Sequence, residues 1–243
     1  MPNHYITFNG ITSTSVGVKA VERYPQLNRP RRKFSKQEVP GRTGDIIAMQ
    51  DAWEDYEQQY EIYAGTGASG NAPTAYNDIM QWLHGANGYA RLEDTYDTTV
   101  YRMAYFAGPT DVENILNRFG RATITFVCKG KRWLKSGETE TTVSTSGTTI
   151  SNPTAFASMP LLKLHGTSGT ATVTVGGTTI TLPAMEEGLV IDCEAMTVVD
   201  NNGDPSNGSM ALGSFPTITS GSSTVSWTGT ITSVGVTPRW FII

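Results

Sequence analysis

The sequence is poor in the residues that carry most chemistry. It has 3 histidines and 2 cysteines among 243 residues, and His4, His84 and His165 share no motif with a nucleophile or a carboxylate. No G-x-S-x-G, H-E-x-x-H or Cys-x-x-Cys is present, so the spacings that build a nucleophile elbow or a zinc site are missing. No apolar run reaches about 18 residues, which predicts no membrane-spanning helix. Met1 to Gly10 lacks the basic start and apolar stretch of a secretory signal. With only Cys128 and Cys193, placed far apart, the simpler reading is a reduced intracellular origin with both as small buried hydrophobes.

Positive charge and tyrosine are lacking in the second half. Up to Lys135 there are 16 Lys and Arg against 14 Asp and Glu; beyond it there are 2 against 8. All 10 tyrosines lie at or before Tyr105. Neither half is basic enough to predict binding to nucleic acid through phosphate neutralisation. After Ser136 the chain turns rich in Thr, Ser and Gly. The composition shift predicts a first domain over 1–135, a connector over 136–151 and a second domain over 152–243.

What is present is β-patterning. Strands are predicted at Tyr5–Phe8, Val16–Arg23, Tyr89–Glu93, Val100–Phe106 and Arg121–Lys129. Arg31–Val39 and Asp45–Met49 flank the turn-rich Pro40-Gly41-Arg42-Thr43-Gly44 and read as a β-hairpin. Asp55–Tyr63 alternates, with Tyr56, Gln58, Tyr60 and Ile62 on one face and Glu57, Gln59, Glu61 and Tyr63 on the other. One helix is predicted over Thr74–His84, its Tyr76, Ile79, Met80 and Leu83 at helical spacing. Beyond the connector no helical period occurs. Ala171, Val173 and Val175, then Ile180 and Leu182 across a Gly176-Gly177 turn, form one apolar face, and Leu189, Ile191 and Cys193 form another. Trp227 shares the register of Val225 and reads as packed. The fold class is β-dominated: two antiparallel sandwich domains, the first with one helix and a protruding hairpin.

Few segments suggest chemistry. Gly65-Thr66-Gly67-Ala68-Ser69-Gly70 fits a dinucleotide-loop pattern. That mechanism needs a strand buried on both faces and a helix that starts within the glycines. Here the strand carries Glu57, Gln59 and Glu61, and Pro73 intervenes, so the loop is read as a plain connection. The acidic run Asp51, Glu54, Asp55, Glu57, Glu61 reads as a solvated edge. No catalytic, metal or cofactor-binding residue is assigned. The basic cluster Arg29, Arg31, Arg32, Lys33 and Lys36 lies on the first hairpin arm. It reads as a phosphate site, as an edge strand guarded by charge, or as an arm that meets a neighbour's acidic residues. A saccharide platform in the second domain is the alternative function; the few aromatics after Ser151 give it little to stack on.

Several segments in order resemble the distal tail proteins of long-tailed, non-contractile phages. They are Phe8-Asn9-Gly10 with Gly17-Val18, Glu38–Gly44, Trp82-Leu83 with Leu92-Glu93-Asp94, Ala122–Lys129, Asn152–Pro160, Ile191-Asp192-Cys193, and Phe215-Pro216 through Val225-Ser226-Trp227 to Pro238-Arg239-Trp240. Ser220–Ser223 departs from the family's usual turn, and Asp111–Phe119 lengthens a loop. The resemblance implies a galectin-like second domain and a non-enzymatic hub in the virion, made in the host bacterial cytoplasm. It implies a hexameric ring, single or stacked in two, between the tail-tube protein and the tail-tip or tail-associated proteins, with receptor-binding proteins as further partners. DNA would pass through in transit only. Under this reading the subunit contact joins Arg31, Arg32, Lys33 and Lys36 to Asp51, Glu57 and Glu61 of a neighbour.

Overall fold

A computed structural model describes residues 4–22, 28–64, 72–108, 121–185, 187–206 and 214–243. The chain divides into two compact units, residues 1–132 with Ile243, and 133–242.

The first unit holds β1 (Ile6–Phe8), β2 (Ile11–Thr12), β3 (Val18–Val21), β4 (Arg32–Gln37), β5 (Ile46–Trp53), β6 (Tyr56–Ala64), α1 (Ala72–His84), β7 (Ala90–Asp94) and β8 (Val100–Phe106). It also holds most of β9 (Arg121–Leu134), whose last two residues belong to the second unit. The sheet runs β2-β1-β7-β8-β9-β6-β3. Its two ends approach one another, because His4, just before β1, bridges Val21 of β3 and its carbonyl accepts the Val21 N–H at 3.0 Å. The sheet therefore curls over a single core and leaves little open edge.

The inward residues follow the alternation of the sequence. Tyr56, Gln58, Tyr60 and Ile62 are buried while Glu57 and Gln59 are exposed. Ile79, Trp82 and Leu83 of α1 join the same core, and the Trp82 indole N–H donates to the Phe8 carbonyl at 3.1 Å. The helix begins at Ala72, two residues ahead of the predicted start.

A charged pair lies inside this apolar setting. Arg102 and Asp94 are both buried and meet at 2.8 Å. The Tyr60 hydroxyl donates to the same carboxylate oxygen at 2.8 Å, and the Arg102 Nε donates to the Tyr56 hydroxyl at 3.2 Å. The other Asp94 oxygen accepts the N–H groups of Tyr96 and Asp97, each at 3.0 Å. A buried ion pair costs desolvation that only such additional hydrogen bonds offset.

The second unit contains β10 (Thr141–Val143), β11 (Thr148–Asn152), β12 (Leu161–Val175), β13 (Thr178–Met185), β14 (Gly188–Asp192), β15 (Thr197–Asp200), β16 (Gly221–Thr237) and β17 (Phe241–Ile242). The connector read over 136–151 is thus corrected. Residues 141–143 and 148–152 pair with opposite ends of β16 and belong to the sheet. Their Thr- and Ser-rich composition mimics a loop, and a distant partner strand overrides it.

The long strands β12 and β16 pair along their lengths, with breaks in register at His165/Gly166 and Gly166/Ala171. Before the break β12 also pairs β14, and after it β13. One continuous sheet thereby supplies both walls of a single core, with Leu162 and Leu164 from one segment and Ala171, Val173 and Val175 from the other. The Gly176-Gly177 turn, at φ 56° and 87°, closes the β12–β13 hairpin in the doubly left-handed form that glycine favours. Trp240 lies in this core, Trp227 packs half-buried against it, and Phe156 stacks on Phe241.

Asp94→Ala would leave Arg102 buried without its counter-charge and strip the acceptor from Tyr60 and two backbone N–H groups. Urea unfolding is expected to show a loss of about 3–5 kcal/mol. An unchanged midpoint would mean that solvent reaches this pair.

Candidate assembly surface

The β4–β5 hairpin forms a separate two-stranded sheet. Its second arm runs to Trp53, four residues beyond the predicted Met49, and the Glu54 N–H donates to the Arg31 carbonyl at 2.8 Å across its base. The base also needs Gly130 of β9, where an added Cβ would lie 2.4 Å from the Trp53 Cβ.

Cross-strand register sorts the side chains. Phe34 faces Met49 and Lys36 faces Ile47, so these four share one face; Ser35 with Ala48 and Gln37 with Ile46 share the other. The first face is apolar and uncovered by its own chain: Phe34 is 45%, Ile47 52% and Met49 60% exposed. Cations border it, with the Lys36 ammonium 5.7 Å from the Phe34 ring centre and the Arg32 guanidinium 5.9 Å from that of Trp53. A lone two-stranded ribbon is marginal in water, and a clustered apolar face marks a binding surface. Covering these three side chains, already part-shielded, would contribute roughly 2–4 kcal/mol per copy.

Of the residues proposed from sequence, Arg31, Arg32, Lys33 and Lys36 are all exposed on or beside β4. Lys33 sits one position from Phe34 and so takes the opposite face. The acidic set is not brought together. Asp51 belongs to β5, the hairpin's own second arm, whereas Glu57 and Glu61 lie on β6. The break between β5 and β6 at Glu54-Asp55 separates them, so no single acidic strand spans 51–61. Glu61 is paired with Arg121 within the chain, and Glu57 is exposed. The sequence reading missed Phe34, Ile47 and Met49. The alternation within each arm was a signal, but only the register joins the two arms into one face.

No group of three His, Cys, Asp or Glu side chains suited to a metal occurs among the described residues. His4 stacks on Tyr96 and His84 packs edge-on against Phe106. Burial pushes the thiols of Cys128 and Cys193 up to about 12, which keeps both protonated and unreactive. The Gly65–Gly70 loop falls outside the described residues, as does Asp111–Phe119.

The architecture is a β-dominated chain of two antiparallel units with one helix and a projecting hairpin. The crystal structure of the SPP1 Dit protein, a paradigm of the hub adsorption apparatus in phages that infect Gram-positive bacteria, has this fold: the two match with a TM-score of 0.71 over 100% of both chains, at 14% sequence identity. No protein-family profile matches the sequence, and no curated protein matches it.

A thiol reagent at pH 8 is expected to modify neither cysteine of the folded protein within minutes and both after denaturation. Rapid native labelling of either would contradict the burial described.

Proposed function

We propose that this chain is a distal tail protein, a structural and non-enzymatic hub at the tip of a phage tail. The observation that carries the reading is the hairpin: an apolar, cation-bordered face held away from its own core and left uncovered. The full-length likeness in fold to a phage hub protein supports the same role. In this reading six copies close a ring, because head-to-tail contacts close when the rotation per subunit completes a circle. The hairpin of one copy covers part of the next. Its cations steer the approach, and burial of Phe34, Ile47 and Met49 supplies the affinity. The ring joins the tail-tube protein to tail-tip or tail-associated proteins, leaves a passage for DNA in transit, and carries receptor-binding proteins on its rim. The protein is made in the bacterial cytoplasm and resides in the virion. The second unit is galectin-like in this reading.

Light scattering after size exclusion tests the contact. The wild type is expected near the mass of six or twelve copies. Phe34→Asp with Met49→Asp should give single copies with an unchanged circular-dichroism spectrum, and Arg31→Glu with Arg32→Glu and Lys33→Glu should weaken assembly mainly at low salt. Variants that keep the wild-type mass would overturn the hairpin contact.

A further inference from the structure

The second unit has a cleft of about 440 Å³, lined among the described residues by Ser168, Glu187, Gly188, Asp200, Asn201 and Asn202. Three separated segments supply it: the irregular stretch of β12 between Gly166 and Ala171, the β13–β14 connection, and the turn that follows β15. Its size is that of a small-molecule site. Among the described residues its lining side chains are carboxylate, carboxamide and hydroxyl groups, with no cation, ring or aliphatic side chain. The two carboxylates disfavour anions, and a lining more polar than apolar disfavours wholly apolar ligands. A cation and an uncharged polyol remain.

Asp200 separates these two. Its Oδ1 accepts the N–H groups of Asn202 at 2.8 Å and Asp204 at 2.9 Å, and its Oδ2 accepts the Asn202 amide at 3.3 Å. Both oxygens are thus occupied in shaping the turn, and those backbone hydrogen bonds, Asp204 first, hold the carboxyl below its usual range. Glu187 is then the carboxylate with more capacity to meet a ligand, whereas a hard cation calls on about six to eight oxygens, several of them charged, and no group of three suitable side chains occurs among the described residues. Gly188 adds a second feature. A Cβ there would lie 2.6 Å from the Asn201 Oδ1 and 2.7 Å from its Nδ2, so the bare glycine makes the seat on which the Asn201 carboxamide rests. The amide brings a donor and an acceptor to a lining that also holds Ser168 and Glu187. Neighbouring sugar hydroxyls, each a donor and an acceptor, complement that set.

We propose that this cleft binds a neutral saccharide, with adjacent hydroxyls hydrogen-bonded to Glu187, Asn201 and Ser168. Without a ring to stack on, a single site is weak, with a Kd of about 1–10 mM. A repeating glycan that meets several copies gains by multivalency; that gain rests on the ring proposed above, and the single-site affinity does not.

Saturation-transfer NMR of the full chain with glucose, galactose, rhamnose and N-acetylglucosamine, each alone, tests the proposal in any assembly state. At least one sugar should give a saturable signal, reduced about tenfold in both Asn201→Ala and Gly188→Ala. Thr149→Ala, on a strand outside the cleft, should leave it unchanged. Asn201 is exposed in a turn, so its variant stays informative if the Gly188 variant misfolds. No signal from any of the four sugars, or a signal equal in Asn201→Ala, would overturn the site. So would a calcium-dependent rise in melting temperature, abolished by Asn201→Ala, in the absence of sugar binding. The ring's mass, measured separately, stands or falls independently of these outcomes.

Discussion

Asp94 is the residue on which the first unit turns. It ends β7 and pairs in register with Ile6 of β1. Through one carboxylate it reaches Arg102 of β8 and Tyr60 of β6, and through its other oxygen it shapes the turn at Tyr96 and Asp97. Arg102 in turn donates to Tyr56 at the start of β6. Three strands are therefore fixed by one buried charge pair, and the pair persists only because nearly every oxygen and nitrogen in it has a partner. Tyr56 follows the hairpin by two residues, so the ribbon rises from the part of the sheet this network makes most rigid. A projecting arm is useful for assembly only if its base does not bend, and the Trp53 contact with Gly130 restrains that base from the β9 side.

The second unit reaches rigidity by other means. Two long strands share one ladder and change their outer partners where the register slips, so the core closes without a buried charge pair among the described residues. The Arg239 guanidinium ties down Asp192 at the surface through two hydrogen bonds, 2.6 and 2.8 Å. Asn152, at the end of β11, clamps the loop that follows, donating to the carbonyls of Phe156 and Ile218 and accepting from Thr154. These are local clamps on loops, and they leave the polar cleft beside Asn201 as a feature of the loops rather than of the core.

Much of this was legible in the sequence wherever one strand's own alternation decides the outcome. The reading of β6 placed even Gln58 on the buried face, because a period of two allows no exception between Tyr56 and Tyr60. What escaped depends on pairs far apart in sequence. Asp94 and Arg102 carry no local mark of partnership, and residues 141–152 look like a connector until β16 lies beside them. The acidic run from Asp51 to Glu61 looked like one strand edge, yet a break at Glu54-Asp55 divides it between the hairpin and the sheet. The hairpin's cations were visible at once; its apolar face was not, since Phe34 contributes from one arm and Ile47 and Met49 from the other.

The central claim is that the hairpin is completed only by another copy of the chain. Hydrogen–deuterium exchange, followed by mass spectrometry across a range of protein concentrations, addresses it directly. Backbone amides of 32–53 should exchange freely when the protein is dilute and become protected as it is concentrated, while the β12 and β16 amides stay protected throughout. Hairpin exchange that is independent of concentration, either always fast or always slow, would contradict the claim.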